Sequence, residues 1–275
     1  MSEGRLSVCA TPIGNLGDVS ARLAQTLNEA DVVYAEDTRR TSILLAHVGA
    51  HPKLRSLFVG NERARTEELV AAVANGKKVV LVSDAGMPTV SDPGSEAVSA
   101  VRAAGLPMTV VPGPSAVTSA ITAAGFGADR FVFEGFLPKK GKERTQRIRS
   151  IAREDRAVVL FVPPHRLGED LASLASVINS DRRVAVTREM TKLYEEVWVG
   201  SIAAALAHWV DDVKGEITLV IEAGEEVPVS DEEAIDSAGH LVADGVSASR
   251  AARQVAEETG VSRRVIYQGL LDIQS

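Results

Sequence analysis

A single cysteine, Cys9, stands in the 275 residues. An internal disulfide is therefore excluded. Lying inside the apolar run Leu6 to Ala10 with no His or Lys beside it, its thiol reads as a buried core group rather than a nucleophile. No stretch reaches the roughly 18 to 20 apolar residues of a membrane span, and Met1 to Arg5 leads into that first run without a signal-peptide hydrophobic region; a cytoplasmic protein is expected. Basic charge is not in excess either. The formal net charge of −7 argues against a generally polycationic coat, although a local basic patch remains compatible with it. No Cys/His cluster has zinc-ligand spacing, which leaves no metal expected. The Gly14 to Gly17 loop lacks the third glycine of a dinucleotide fingerprint. Internal repeats and low-complexity tracts are missing, apart from the Ala-rich stretch 202–207, which is ordinary helix composition.

What is present is 45% apolar residues, enough for real cores, in a length that suits about two domains. The most informative stretch runs from Lys77 to Gly94. An apolar strand, Val79-Val80-Leu81-Val82, enters a loop punctuated by Asp84, Gly86, Pro88, Ser91, Asp92, Pro93 and Gly94. One turn residue stops a strand; this many fix a long backbone path above its end, where open α/β sheets bind ligands. The surrounding sequence repeats the pattern. Apolar runs at 6–11, 32–35, 78–82 and 108–111 alternate with amphipathic stretches at 21–29, 66–74 and 95–104, predicting a mostly parallel sheet covered on both faces. Loops of special residues follow the strands at 11–18, 36–39, 83–94 and 112–116, and in a parallel sheet they meet on one edge.

From Phe131 the strands (131–138, 157–162, 183–186, 195–200 and 217–221) lie close in sequence and suit antiparallel pairing, so a second, mixed sheet is expected. Lys139, Lys140, Lys142, Arg144, Arg147, Arg149, Arg153 and Arg156 make a basic segment, which is either a solvated helix face or a polyanion contact. An acidic, proline-containing segment, 222–233, precedes helices expected at 232–243, 248–258 and 262–272. Thr259-Gly260-Val261 links the last two as in a helix-turn-helix. Arg250, Arg253, Arg263 and Arg264 suggest a nucleic-acid contact there, against a plain helical cap. The predicted architecture is α/β: an N-terminal domain at 1–116, a second α/β domain at 117–226 and a C-terminal helical unit at 227–275.

Taken together, Thr11-Pro12-Ile13-Gly14-Asn15-Leu16-Gly17-Asp18, Ala35-Glu36-Asp37-Thr38-Arg39, Asn61-Glu62, Val82-Ser83-Asp84-Ala85-Gly86 with Ser91-Asp92-Pro93-Gly94, Pro112-Gly113-Pro114-Ser115-Ala116, Gly135-Phe136-Leu137-Pro138, Pro164-His165-Arg166, Arg188-Glu189-Met190-Thr191-Lys192 and Gly215-Glu216-Ile217 resemble the tetrapyrrole methylase superfamily. Within it they resemble the ribosomal RNA small subunit methyltransferase I family. The resemblance implies a tetrapyrrole-methylase-like fold of two α/β domains with S-adenosylmethionine bound in the cleft between them, a homodimer, and as substrate a cytidine ribose 2′-hydroxyl in the decoding region of 16S rRNA in the small ribosomal subunit. Met87 stands where the family has Thr, and Phe161-Val162 where relatives often have Tyr-Glu.

On that resemblance, Pro12, Gly14, Asp84, Ala85, Gly86, Pro88, Ser91, Ser115 and Ala116 are expected to hold the cofactor, largely through backbone groups. A ribose hydroxyl is a very weak acid, so a base or a cation should assist its reaction. Glu36, Asp37, Arg39, Glu189 and Lys192 are the catalytic candidates, with a structural salt-bridge cluster as the opposite reading. If their segment is helical, Glu189 and Lys192 share one face. Lys139, Lys140, Arg144, Arg166 and Arg188 are expected to contact RNA phosphates; His165 is a weaker candidate. Two other functions stay open: methylation of a corrin or porphyrin precursor, and a ligand-sensing DNA-binding regulator.

Overall fold

The computed structural model describes residues 4–127, 129–210, 213–224 and 230–273. Its first sheet contains β1 (Arg5–Cys9), β2 (Val32–Ala35), β3 (Lys53–Ser56), β4 (Lys78–Val82) and β5 (Met108–Val111). All pairings are parallel, in the order β3-β2-β4-β1-β5. Parallel strands sandwiched by helices have no polar face, which is why β2 and β4 read as continuous apolar runs. Alternate residues separate into two cores. Leu6, Val8, Tyr34, Val79 and Leu81 pack with Leu69, Val73, Ala97 and Val101 of α3 (Glu62–Ala74) and α4 (Ser95–Ala103). Cys9, Val33, Val80 and Val82 pack with Leu23, Leu27, Leu44 and Leu45 of α1 (Ala21–Asn28) and α2 (Thr38–Val48). Burial pushes the Cys9 thiol up to about 12, so it is a core thiol at neutral pH.

Strand order fixes where a ligand fits. From β1 the chain crosses to β2 on one side, whereas from β4 it crosses to β5 on the other, so β1 and β4 flank the topological switch point. Their carboxyl ends carry the two most unusual loops of the sequence. Thr11 and Gly86 join those loops by reciprocal backbone hydrogen bonds of 2.9 and 3.1 Å.

The second sheet, β6 (Phe131–Phe136), β7 (Ala157–Val162), β8 (Arg183–Arg188), β9 (Glu196–Ser201) and β10 (Ile217–Ile221), has the order β6-β7-β10-β8-β9. Only β6 and β7 run parallel; the other pairings are antiparallel. One face is covered by α5 (Ala116–Ala124), through Val117, Ala120 and Ala124 on Val159, Ala185 and Val220. The other packs against α6 (Lys142–Arg153), α7 (Leu167–Ala175) and α8 (Ile202–His208).

Residues up to Ala223 cluster as one compact unit and those from Gly224 as another. The expected boundary at 226/227 lies outside the described residues. The second unit contains α9 (Asp231–Ala243), α10 (Ala248–Thr259) and α11 (Arg263–Ile273) around Ala234, Ala238, Ala251, Ala252, Val255, Ile266 and Leu270. A capping box between Ser230 and Glu233 starts α9, and Gly260 ends α10 at φ 74°, a left-handed cap that favours glycine. Among the described residues no helix is long and apolar enough to cross a membrane.

Candidate active site

The loop after β4 is held from several sides. Asp84 Oδ1 accepts the Asp37 backbone N–H at 2.9 Å, which ties the ends of β4 and β2. Thr11 Oγ1 donates to Ser83 O at 3.1 Å, tying β4 to β1. Glu62 Oε1 accepts the N–H groups of Gly94 and Glu96 at 2.8 and 3.3 Å; it satisfies the first turn of α4 that Gly94, lacking a side-chain oxygen, leaves open. Between these anchors Thr89 and Ser91 take φ of 74° and 64°. Such left-handed non-glycine residues are uncommon and gather at ligand clamps.

Two adjoining chambers open beside this loop. The first, about 360 Å³, lies between Asp84 to Met87, Ser91, Asp92, Ser115 and Ala116 of the first sheet's loops and Phe136, Phe161, Val162, Pro163, Ile217 and Thr218 of the second sheet. The second, about 320 Å³, is walled by Pro12, Gly14, Leu16, Thr41, Ile43 and Lys192. Ile13, Arg40, Asp84, Ala85 and Glu216 line both. Both volumes lie in the range of small-molecule sites.

Arg40, Asp84 and Glu216 are shared charges, with Asp92 added on the first chamber alone and Lys192 on the second alone. Asp84 and Asp92 face the first chamber. Burial and the neighbouring Glu36 push the Asp92 carboxyl up to about 6, against a hydrogen bond from Ser83. Glu36 is raised by burial and by Asp84. Asp37 goes the other way, down to about 2, because Arg39 hydrogen-bonds to it. On the second chamber, Lys192 Nζ lies 2.9 Å from Glu189 Oε1 and 3.0 Å from Glu216 Oε2. Burial draws its pKa down, yet those two partners carry it above the usual value.

The 189–192 segment is a turn, not a helix. Glu189 and Thr191 have φ of 51° and 67°, and this fold brings together the two side chains expected to share a helical face. Glycine makes room for both. A Cβ on Gly14 would collide with Lys192 Cγ. A Cβ on Gly215, whose φ is 102°, would strike the Glu189 carboxyl at 2.7 Å.

Of the expected cofactor residues, Asp84, Ala85, Gly86, Ser91, Ser115 and Ala116 line the first chamber, whereas Pro12 and Gly14 line the second. Pro88 is buried within the loop and lines neither. Asp37 caps α2 and binds Arg39, whose side chain is 89% exposed. The expected RNA contacts divide. Lys139 and Lys140 are exposed on the loop that follows β6. Arg188 is held by Glu196 at 2.8 Å.

Arg144 and Arg166 are placed otherwise than expected: both are buried, at 2.8 and 3.2 Å from the 1%-exposed Asp170 side chain. Their remaining donors serve carbonyls of Pro138, Leu137 and Lys139 and the Ser173 hydroxyl. Guanidiniums committed in this way anchor the Leu137 to Lys139 loop and are withdrawn from RNA contact. The residue the sequence reading passed over is Arg40. It sits at the junction of the chambers, with its Nε 3.7 Å from Asp84 Oδ2 and its side chain 60% exposed. The signal was available: with Asp37 as N-cap, Arg40 and Leu44 fall on one face of α2.

Comparison with known proteins agrees with this architecture. Residues 5–206 match the family model described as Tetrapyrrole (Corrin/Porphyrin) Methylases. The chain is 41% identical over 276 aligned residues to a ribosomal RNA small subunit methyltransferase I of Synechocystis, covering 99% of each. A protein of the same name from Thermotoga maritima is 43% identical over 223 residues, which are 81% of this chain and all of that one. Among solved structures, the uroporphyrin-III-C-methyltransferase of Thermus thermophilus superposes with a TM-score of 0.60 at 22% identity, over 80% of this chain and 94% of that one. Cobalt precorrin-4 methyltransferase does so at 0.62 and 15%, over 79% and 94%. The chain belongs to the tetrapyrrole methylase family and, within it, to the ribosomal RNA small subunit methyltransferase I family.

Proposed function

We propose that this chain is an S-adenosylmethionine-dependent methyltransferase of small-subunit rRNA, acting on a cytidine ribose 2′-hydroxyl in the decoding region of 16S rRNA. The observation that carries this reading is the paired chambers meeting at Ile13, Arg40, Asp84, Ala85 and Glu216. One is suited to a donor and the other to an acceptor. S-adenosylmethionine supplies a methyl group on a sulfonium cation. The first chamber fits it: Phe136, Phe161, Val162 and Ile217 offer flat and apolar walls, and Asp84 and Asp92 offer carboxylates to its cationic groups. Bound there, it would supply a methyl carbon whose bond to sulfur breaks as the bond to the ribose oxygen forms, and the hydroxyl proton would pass to a base such as Glu36 or to water. Geometry is the chain's main contribution, since alignment alone supplies several kcal/mol.

Asp37 and Glu189, which line neither chamber, are held below the usual carboxylate range by Arg39 and Lys192, which suits them to positioning rather than to accepting a proton. Glu36, raised rather than lowered, is the catalytic candidate of better basicity, and it lies behind Asp84 and Asp92 rather than on a chamber wall. Arg40, 60% exposed and held by Asp84 at 3.7 Å, is the cation that lines both chambers and suits a phosphodiester beside the reacting ribose. Lys139, Lys140 and Arg188 remain the proposed backbone contacts of the RNA. A cytoplasmic homodimer belongs to the same reading.

The test offers purified protein labelled S-adenosylmethionine with either small subunits from cells lacking the modification or a tetrapyrrole precursor. Label in the rRNA supports the reading. Label in the tetrapyrrole alone overturns it in favour of the corrin or porphyrin alternative.

Asp92 adds a pH prediction. Its pKa rises from 3.8 to about 6 on folding, so between those values the folded chain binds more protons than the unfolded one and the group's contribution to stability falls as pH rises. Ionised Asp92 attracts a sulfonium. Affinity for S-adenosylmethionine is therefore expected to increase as pH rises through about 6, relative to S-adenosylhomocysteine, whose sulfur is uncharged. Calorimetric titration across pH 5 to 8 checks this; parallel curves for the two ligands contradict it, and D92N is expected to flatten the difference.

A further inference from the structure

In the terminal unit α9 is acidic and the first turns of α10 and α11 are basic, while Glu257, Glu258 and Asp272 lie toward the ends of α10 and α11. Asp231, Glu232, Glu233, Asp236 and Asp244 all lie on α9 or its C-cap. Arg250, Arg253, Arg263 and Arg264 lie on α10 and α11. On α11, Ile266 and Leu270 face the core, whereas Arg263, Arg264, Tyr267, Gln268 and Leu271 are exposed. At 3.6 residues per turn those five span an arc of about 140°, a single face. Arg263 Nη2 donates to Ser249 Oγ at 3.0 Å, which joins the first turns of α10 and α11, and Arg250 follows Ser249 on α10. Two arginines, an aromatic ring and an amide on one helix face suit a polyanion that also presents flat bases. The length of the Thermotoga maritima relative points the same way: its 223 aligned residues cover it completely and equal in number the first unit, Met1–Ala223. The donor and acceptor chambers are lined wholly by residues of that first unit.

We propose that the exposed face of α11, together with Arg250, is a second RNA-binding surface, which holds the phosphodiester backbone of the substrate rRNA while Tyr267 stacks on an unpaired base. The proposal rests on the rRNA reading above. It adds affinity and takes no part in methyl transfer, because a tethered second contact raises the effective concentration of substrate at the first. Duplex DNA is the less suitable partner, since reading it with a helix-turn-helix calls for base-edge contacts from a dimer, whereas two arginines and a tyrosine serve phosphates and stacking.

The test uses the full-length chain carrying R263Q/R264Q, and separately Y267A, with E232Q/D236Q on α9 as the control. All these residues are exposed, and far-ultraviolet circular dichroism checks that the variants fold. Steady-state methylation of small subunits is expected to show KM raised about tenfold for R263Q/R264Q with kcat and cofactor affinity unchanged, and the control unaltered. Binding of a fluorescent single-stranded rRNA fragment should lose about one to two units of salt slope, as expected for two phosphate contacts. Unchanged KM and salt slope overturn the proposal, as does tighter binding of duplex DNA than of the RNA. If the wild type methylates no subunit yet its RNA binding still depends on Arg263 and Arg264, the function assigned to the cleft fails while this surface stands.

Discussion

Replacing Asp84 by alanine is expected to lower kcat/KM for methyl transfer by about a hundredfold or more. The carboxylate lines both chambers, fixes the end of β2 through the Asp37 N–H and faces Arg40 at 3.7 Å. Its removal frees the junction at which donor and acceptor have to align, and a misplacement of about 1 Å there costs on the order of 10² in rate. The cost to stability is smaller, about 1 to 2 kcal/mol for the half-buried N–H left without its acceptor. Asparagine keeps an oxygen for that N–H but no charge, so D84N should fall between alanine and wild type. Single-turnover rates with saturating cofactor, beside a thermal melt, separate the two effects. A D84A chain with wild-type transfer rate contradicts the placement of the reaction at this junction.

The second large effect is on folding. Asp170→Ala leaves Arg144 and Arg166, both buried, without their one buried carboxylate, and only the exposed Glu169, 3.5 and 3.6 Å away, still faces them. Breaking a buried ion pair from one side costs about 3 to 5 kcal/mol, since the remaining charge is desolvated and uncompensated. Trp198 and Trp209 both pack in the second-sheet core that contains α7, so urea unfolding followed by tryptophan fluorescence reads the right region. A midpoint within error of wild type contradicts the account. R144M/R166L combined with D170L is expected to recover much of the loss, because an apolar replacement of similar volume carries no unpaired charge. The same network anchors the carbonyls of Leu137, Pro138 and Lys139, so D170A should also weaken RNA binding through Lys139 and Lys140.

These two cases mark what was legible in the sequence and what was not. β1, β2, β4 and β5 were readable because each is a short, mostly apolar run, buried along β2 and β4 and partly exposed in the edge strand β5, and the loop 83–94 was readable because its turn residues cannot serve any regular element. β3, Lys53–Ser56, was missed: an edge strand of four half-exposed residues has neither apolar run nor alternation. α2 was read only as a loop start, since its first five residues, Thr38 to Ser42, are all polar and its apolar residues begin only at Ile43; Arg40 went unnoticed with it. Arg144 and Arg166 were misread for a different reason. A local charge count treats every arginine as solvated; for Arg166 the partner Asp170 stands four residues on in the helix that Arg166 caps, whereas for Arg144 it enters through a helix that only the tertiary fold brings alongside. The Glu189 to Lys192 pair was found by spacing although the segment is a left-handed turn; both geometries place residues three apart within reach, and the Cβ-free surfaces of Gly14 and Gly215 select the turn.

The central claim, that the junction of the two chambers delivers a methyl group to a ribose oxygen of small-subunit rRNA, is tested most directly by locating the label. Small subunits from cells lacking the modification are methylated with labelled S-adenosylmethionine, and the rRNA is digested to nucleosides for mass spectrometry. The account predicts the label in 2′-O-methylcytidine from a single position of the decoding region. Label on a base atom, or spread over many nucleotides, contradicts it.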